Sequence, residues 1–319
     1  MKRVAMILAA GALFAAADPA LAGCAEFQTS AADLNLTYDP FGNAVLDRVF
    51  TLRVRRLNPA ATSVRLILAD PDGIGGTPRL GAAGVENYDI SWNTDTGRRV
   101  LVTGAEQPNA TNGALVRFGS GPSGDVVNET FRIRVPAGQD VAAGDYYQPL
   151  DVRYVCYAGD DAIDSPDVQT GAQVAVDLTV PERISTFIGS SGIRRGRIDF
   201  GAIDVAAGPQ TRGLMVTAQS TVPYEIDVSS EWGGLKRSVS DDYVLSYRMR
   251  LSGFPIDAGD RLMCTRTDAP TGRTHPLQIE IDPRQAAAAP AGSYSDVVTL
   301  TFSPRLGLSG GDGCSMGGL

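Results

Sequence analysis

The sequence predicts an all-β protein built as two antiparallel sandwich domains, the second lacking its last strand. Three observations carry that prediction. The chain has 319 residues with 36 glycines and 19 prolines, broken into short alternating runs, which suits sheets joined by turns rather than helices or disorder. One hairpin pattern occurs twice, as FRIRVPAGQDVAAGDYYQPLDVRYV over 131–155 and as LQIEIDPRQAAAAPAGSYSDVVTLTF over 277–302. With Pro290 and Ala291 inserted, Ile133 aligns with Ile279, Gln139 with Gln285, Gly144 with Gly292 and Tyr146 with Tyr294. The copies then part: an acidic loop and another alternating run follow the first, and only LGLSGGDGCSMGGL, six glycines in fourteen residues, follows the second.

In chain order, residues 1–22 read as a signal peptide. Lys2 and Arg3 precede an apolar run over 4–17, and Asp18-Pro19-Ala20-Leu21-Ala22 gives a small-residue cleavage site. The run is short for a membrane span and no other segment approaches one, so the mature chain is expected to be exported. Leu21-Ala22-Gly23-Cys24 also matches a bacterial lipobox, which leaves Cys24 two readings, a lipid anchor or a disulfide. The four cysteines fall one pair per domain, which favours Cys24 with Cys156 and Cys264 with Cys314 in an oxidising compartment.

Domain 1 covers 23–181. Leu34, Leu36 and Tyr38 alternate first, then Phe50, Leu52 and Val54, then Val64, Leu66 and Leu68, with Asn58-Pro59 between. A turn-rich loop spans 71–84. Alternation resumes at Tyr88, Ile90 and Trp92, at Val100 and Val102, and at Val116 and Phe118, with Gly/Pro/Asn clusters between. In the repeated hairpin, Phe131, Ile133 and Val135 share one face with Leu150, Val152 and Tyr154. The run 173–180 completes the domain with Val174, Val176, Leu178 and Val180.

Domain 2 covers 182–305, with 306–319 as a glycine-rich tail. Residues 198–204 answer 34–39; 213–218 and 224–228 answer the next two strands; 243–251 reads as one alternating strand. No segment of either domain shows a helical apolar period. The tail offers no run to answer 173–180, and glycine covers no core. An unpaired edge at Val298, Leu300 and Phe302 is therefore expected, a groove that a strand from another chain could fill. Two alternatives stand beside this: the domain is simply smaller, or 185–188 folds back as the closing strand.

Catalysis finds little support. The one histidine, His275, sits between Thr274 and Pro276 and reads as a surface or loop residue without a nucleophile beside it. No phosphate loop, zinc spacing or nucleophile elbow occurs, so neither a cofactor nor a metal is expected. The acidic loop 160–167 lacks the pattern of calcium loops and reads as solvated. A formal net charge of −8 argues against nucleic acid as partner, and the basic run Ile193-Arg194-Arg195-Gly196-Arg197 reads as a solvated turn.

Phe200-Gly201, Val222-Pro223-Tyr224 and Ala291-Gly292-Ser293-Tyr294-Ser295-Asp296-Val297-Val298 resemble the spore coat protein U domain family, which includes the subunits of archaic chaperone–usher pili. The resemblance covers about 110 residues of domain 2, with domain 1 as a divergent copy. It implies immunoglobulin-like sandwiches, the second completed by a donor strand. The implied partners are a periplasmic pilus chaperone, an outer-membrane usher and an adjoining pilus subunit. Cleavage just before Cys24 leaves no extension to donate, so the chain is expected to end its fibre, like a two-domain tip adhesin at the cell surface. The Cys-containing tail departs from the family pattern. Domain 1 would then bind an unidentified surface, and Ile74, Leu80 and Val85 in and beside the 71–84 loop are the candidate contacts unless they tuck beneath it. A self-contained periplasmic or lipid-anchored two-domain binding protein is the alternative.

Overall fold

Period-two alternation becomes paired sheets throughout the computed structural model, which describes residues 23–29, 34–73, 78–80, 85–163, 166–169, 174–206, 208–239, 242–267, 270–305 and 313–317. The signal segment 1–22, Ile74 and residues 306–312 of the tail lie outside the described residues.

In domain 1, one sheet runs in the order Ala25–Thr29, Leu46–Arg56, Val126–Val135, Asp89–Trp92, Asp95–Arg99. The facing layer runs Ala114–Arg117, Ser63–Asp70 and then Asp151–Ala158, which carries on from Gly144–Pro149 through a bend at Leu150. Asp167–Gln169 and Ala175–Val180 follow along the far edge of this long strand, and Asn35–Thr37 pairs last, parallel to Ala175–Val180. The alternating side chains meet between the layers. Phe50 stacks on Phe131 at 5.7 Å, Phe27 packs on Tyr154 at 4.8 Å, and all four are buried. A disulfide joins Cys24 to Cys156 and ties the start of the first sheet to the second.

Domain 2 repeats the first sheet strand for strand as Ile184–Ile188, Gln210–Ser220, Arg273–Ile281, Arg248–Leu251 and Phe254–Ile256. Its second sheet runs Cys314–Met316, Arg261–Cys264, Tyr224–Ser230, Val298–Pro304. The tail thus forms a strand after all, fastened by the Cys264–Cys314 disulfide to the edge remote from Val298–Pro304. Three residues among glycines carry too little alternation to announce a strand; the ladder to Arg261–Cys264 and the disulfide hold it.

Ile184–Ile188 pairs antiparallel with Gln210–Ser220, Ile188 opposite Val216, and so occupies the place that Ala25–Thr29 holds in domain 1. Self-closure by 185–188 is thereby overturned: those residues belong to the other sheet. The 243–251 run divides into Val244–Leu245 and Arg248–Leu251. The alanine-rich connection contains a short helix, Pro283–Ala288, whose N-cap Asp282 accepts from the Arg284 amide at 2.9 Å, with proline in the first turn. The domains meet where the Ala143 amide donates to the Thr221 carbonyl at 2.9 Å and Arg266 Nη2 donates to Asp140 Oδ2 at 3.2 Å.

Candidate functional site

The repeated Gly-x-Tyr has a structural cause. Tyr146 donates its hydroxyl to the Ala142 carbonyl at 2.9 Å, and Tyr294 donates to the Pro290 carbonyl at 2.6 Å, four residues back in each case. Both are tyrosine corners, which pin the turn that enters the penultimate strand of an immunoglobulin-like sandwich. The two long strands that follow therefore start from equivalent anchors.

Their surroundings differ. In domain 1, Ala175–Val180 lies between Gly144–Pro149 and Asn35–Thr37, with Leu178 opposite Tyr146 on one side and Leu36 on the other. Val174, Val176, Leu178 and Val180 are all buried, the Leu150 amide donates to the Val174 carbonyl at 2.9 Å, and Asp167–Gln169 carries the edge on past Val152 and Tyr154, so that Leu150, Val152 and Tyr154 are buried too. Among the described residues no strand occupies that place in domain 2. Val298–Pro304 pairs with Tyr224–Ser230 along one edge and has no strand partner along the other among the described residues. Residues 198–204, expected to answer the first strand of domain 1, also pair with no strand. The reason is visible in domain 1: Asn35–Thr37 is laddered only to the closing strand, and without one its counterpart has nothing to bond.

Between these two unpaired segments lies a groove of about 1390 Å³. Val298, Leu300 and Phe302 face into it and stay half-buried, as do Ile198 and Phe200 on the opposite wall. Leu277, Ile279 and Tyr247 are among the residues beneath. Small-molecule pockets measure roughly 300–1000 Å³, and this trough exceeds them. The rim is fixed by Asp296, which accepts from Tyr247 Oη at 2.6 Å, from Ser230 Oγ at 2.6 Å and from the Trp232 amide at 3.2 Å. Burial, with the bond to Asp296 beside it, pushes the Tyr247 phenol up to about 12. These bonds tie the start of Val298–Pro304 to Ser230 and Tyr247, while its other edge has no strand partner among the described residues.

The remaining candidates fall elsewhere. His275 is no surface residue; it is fully buried on Arg273–Ile281, with Nε2 2.7 Å from Tyr224 Oη and Nδ1 2.7 Å from Ser252 Oγ. Its loop-like neighbours hid an inward-facing position of the strand. Burial, with the Arg273 charge nearby, holds the imidazole down at about 4. Its ligand atoms lie within 4.8 Å of the Cys264 and Cys314 sulfurs, but those sulfurs are bonded to each other and both ring nitrogens are taken. In domain 1, Leu80 is fully buried in the core, so it does not present a surface contact. Val85 begins the short strand Val85–Glu86 paired with Arg79–Leu80. The buried Asp70 carboxylate braces that loop, accepting from the Arg79 amide at 2.7 Å and from Tyr88 Oη at 3.2 Å.

No family model and no curated protein matches this chain. Among solved structures, it is similar to the CupB6 tip adhesin from Pseudomonas aeruginosa, with 11% identity, 89% of this chain and 94% of that chain covered, and a TM-score of 0.43. It is also similar to the CsuC–CsuE chaperone–tip adhesion subunit pre-assembly complex from archaic chaperone-usher Csu pili of Acinetobacter baumannii, with 16% identity, 87% and 99% covered, and a TM-score of 0.36. CfaE, the adhesive subunit of CFA/I fimbria of enterotoxigenic Escherichia coli, is 12% identical, with 88% and 94% covered and a TM-score of 0.39.

Proposed function

We propose that this chain is the tip subunit, an adhesin, of an archaic chaperone–usher pilus. Domain 2 accepts a strand first from a periplasmic chaperone and then, at an outer-membrane usher, from the adjoining subunit. Domain 1 contacts the target surface. The observation that carries this reading is the groove between residues 198–203 and 291–302, which takes in the place where domain 1 seats its closing strand against Gly144–Pro149. Two of the three stretches that resemble spore coat protein U domains, Phe200-Gly201 and 291–298, line its two walls. Residues Ala25–Thr29 are laddered into domain 1 and lie next to the Cys24 disulfide, so that stretch serves its own sheet rather than a neighbour. The disulfides accord with an exported, oxidising setting.

A peptide copying residues 174–180 tests the reading, because it already closes the equivalent gap in domain 1. The full chain, refolded with its disulfides intact, should melt higher with the peptide than without. Saturation at a hundredfold excess over Kd stabilises by about 2.7 kcal/mol. A peptide carrying Leu178→Asp should be inert, whereas Asp177, one residue along and facing outward, is tolerated already. An unchanged melting temperature with the unmodified peptide would remove the pilus reading and leave a self-contained two-domain binding protein.

A further inference from the structure

The basic run at the start of domain 2 lies on one wall of the groove, at one end of it. Phe302 packs against His275 at 6.1 Å, His275 lies opposite Val216, and Val216 lies opposite Ile188, which marks the Phe302 end. Gly196 is at this end, since a Cβ there would stand 2.8 Å from Leu214 Cδ2 and 3.2 Å from Ile188 Cγ2. Arg194, Arg195 and Arg197 surround it, all exposed, in a chain whose net charge is −8. Arg197 pairs with Asp199 at 3.1 Å. Arg194 and Arg195 have no ion-pair partner among the described residues. Asp296, the other acidic group along the groove, sits on the facing wall beside Tyr294 and is saturated by Tyr247, Ser230 and backbone amides.

Domain 1 shows the direction in which such a gap is filled. Its closing strand runs antiparallel to Gly144–Pro149 and parallel to Asn35–Thr37. A strand laid into domain 2 in that direction enters beside Phe302 and the arginines and leaves beside Tyr294. We infer that the strand completing domain 2 carries acidic residues immediately before its alternating apolar run, where they meet Arg194 and Arg195. This rests on the strand-accepting reading of the groove. The two adjacent cations repel one another until a carboxylate lies between them, and their field reaches about a Debye length into solvent, so they steer the incoming strand. The apolar face decides whether a strand fits; the arginines decide which end goes in first.

The test uses the full chain and labelled peptides built on residues 174–180, with two aspartates before the run, two lysines before it, or two aspartates after it. At low salt the aspartate-first peptide should associate roughly tenfold faster than the lysine-first one, with the aspartate-last peptide between them. At about 1 M salt, where the Debye length is ~3 Å, the difference should vanish. An R194E/R195E double variant should reverse the order of the first two. Equal rates for all three peptides at low salt, or fastest association by the aspartate-last peptide, would overturn the inference while leaving the groove a strand acceptor. No binding by any peptide would overturn both.

Discussion

Leu150, Val152 and Tyr154 in domain 1 and Val298, Leu300 and Phe302 in domain 2 follow the same hairpin, face the same way and start from the same tyrosine corner. The first three are sealed and the second three stand half-open in a groove. Alternation therefore sets which side chains turn inward, but only a neighbouring strand decides whether they leave water. The gap also propagates. Residues 198–204 keep the pattern of a first strand yet pair with no strand among the described residues, where the strand they would ladder against is not found.

A buried charge should break the comparison most strongly. Leu178→Asp places an unpaired carboxylate between Tyr146 and Leu36, where Leu178 is 1% exposed. It should cost domain 1 about 3–5 kcal/mol. Leu300→Asp in the half-open groove should cost much less in the uncomplexed chain. Denaturant melts of the two variants, with each domain followed separately, check this. Equal losses would mean that the groove is already covered.

The disulfides come next. Removing either pair as Cys→Ala variants should cost about 2–5 kcal/mol. Cys24–Cys156 spans a separation of 132 residues against 50 for Cys264–Cys314, so on loop entropy the first should be worth about 1 kcal/mol more. A reversal would show that the tail strand contributes more to domain 2 than its three residues suggest.

Acid should separate the domains as well. His275 is held at about 4 in the fold against an ordinary 6.5, so the unfolded state takes up the proton first as pH falls. The stability is present in full above about 6.5 and is lost progressively down to about 4, worth about 3 kcal/mol in total. Asp70 in domain 1 leans the other way. Burial raises its carboxyl, so the unfolded chain ionises first, and the contribution of Asp70 is fullest at low pH and falls as pH rises. Melting temperatures measured from about pH 7 to pH 4 should fall for domain 2, and His275→Gln should flatten that slope. The smallest effect belongs to the corners: Tyr146→Phe and Tyr294→Phe should each cost about 1 kcal/mol in their own domain.

The repeated hairpin could be read directly from the chain, since period two survives in both copies, and the missing strand could be read from glycines where side chains were needed. The pairing of Ile184–Ile188 could not. Its side chains are intermediate in exposure along its whole length, and an edge strand of either sheet presents the same residues. His275 was obscured by its neighbours: Thr274 and Pro276 look like loop, yet they are the outward positions of a long strand. Leu80 looked available because its loop is rich in glycine and proline, while the buried Asp70 holds the Arg79 amide beside it and Leu80 itself lies in the core. In the groove itself, Val298, Leu300 and Phe302 were found by alternation alone, but Tyr247 and the Asp296 bonds that brace the rim depend on contacts between distant segments.

Backbone hydrogen exchange along 298–304 tests the central claim most directly, because it reads the free edge residue by residue. In the full chain alone, the outward amides of this strand should exchange far faster than those of Gly144–Pro149, which are laddered to Ala175–Val180. Adding the 174–180 peptide should protect the edge from its 292–298 end, which answers the 144–150 stretch that this segment ladders to in domain 1. Protection already present without peptide, or exchange unchanged by it, would contradict the account.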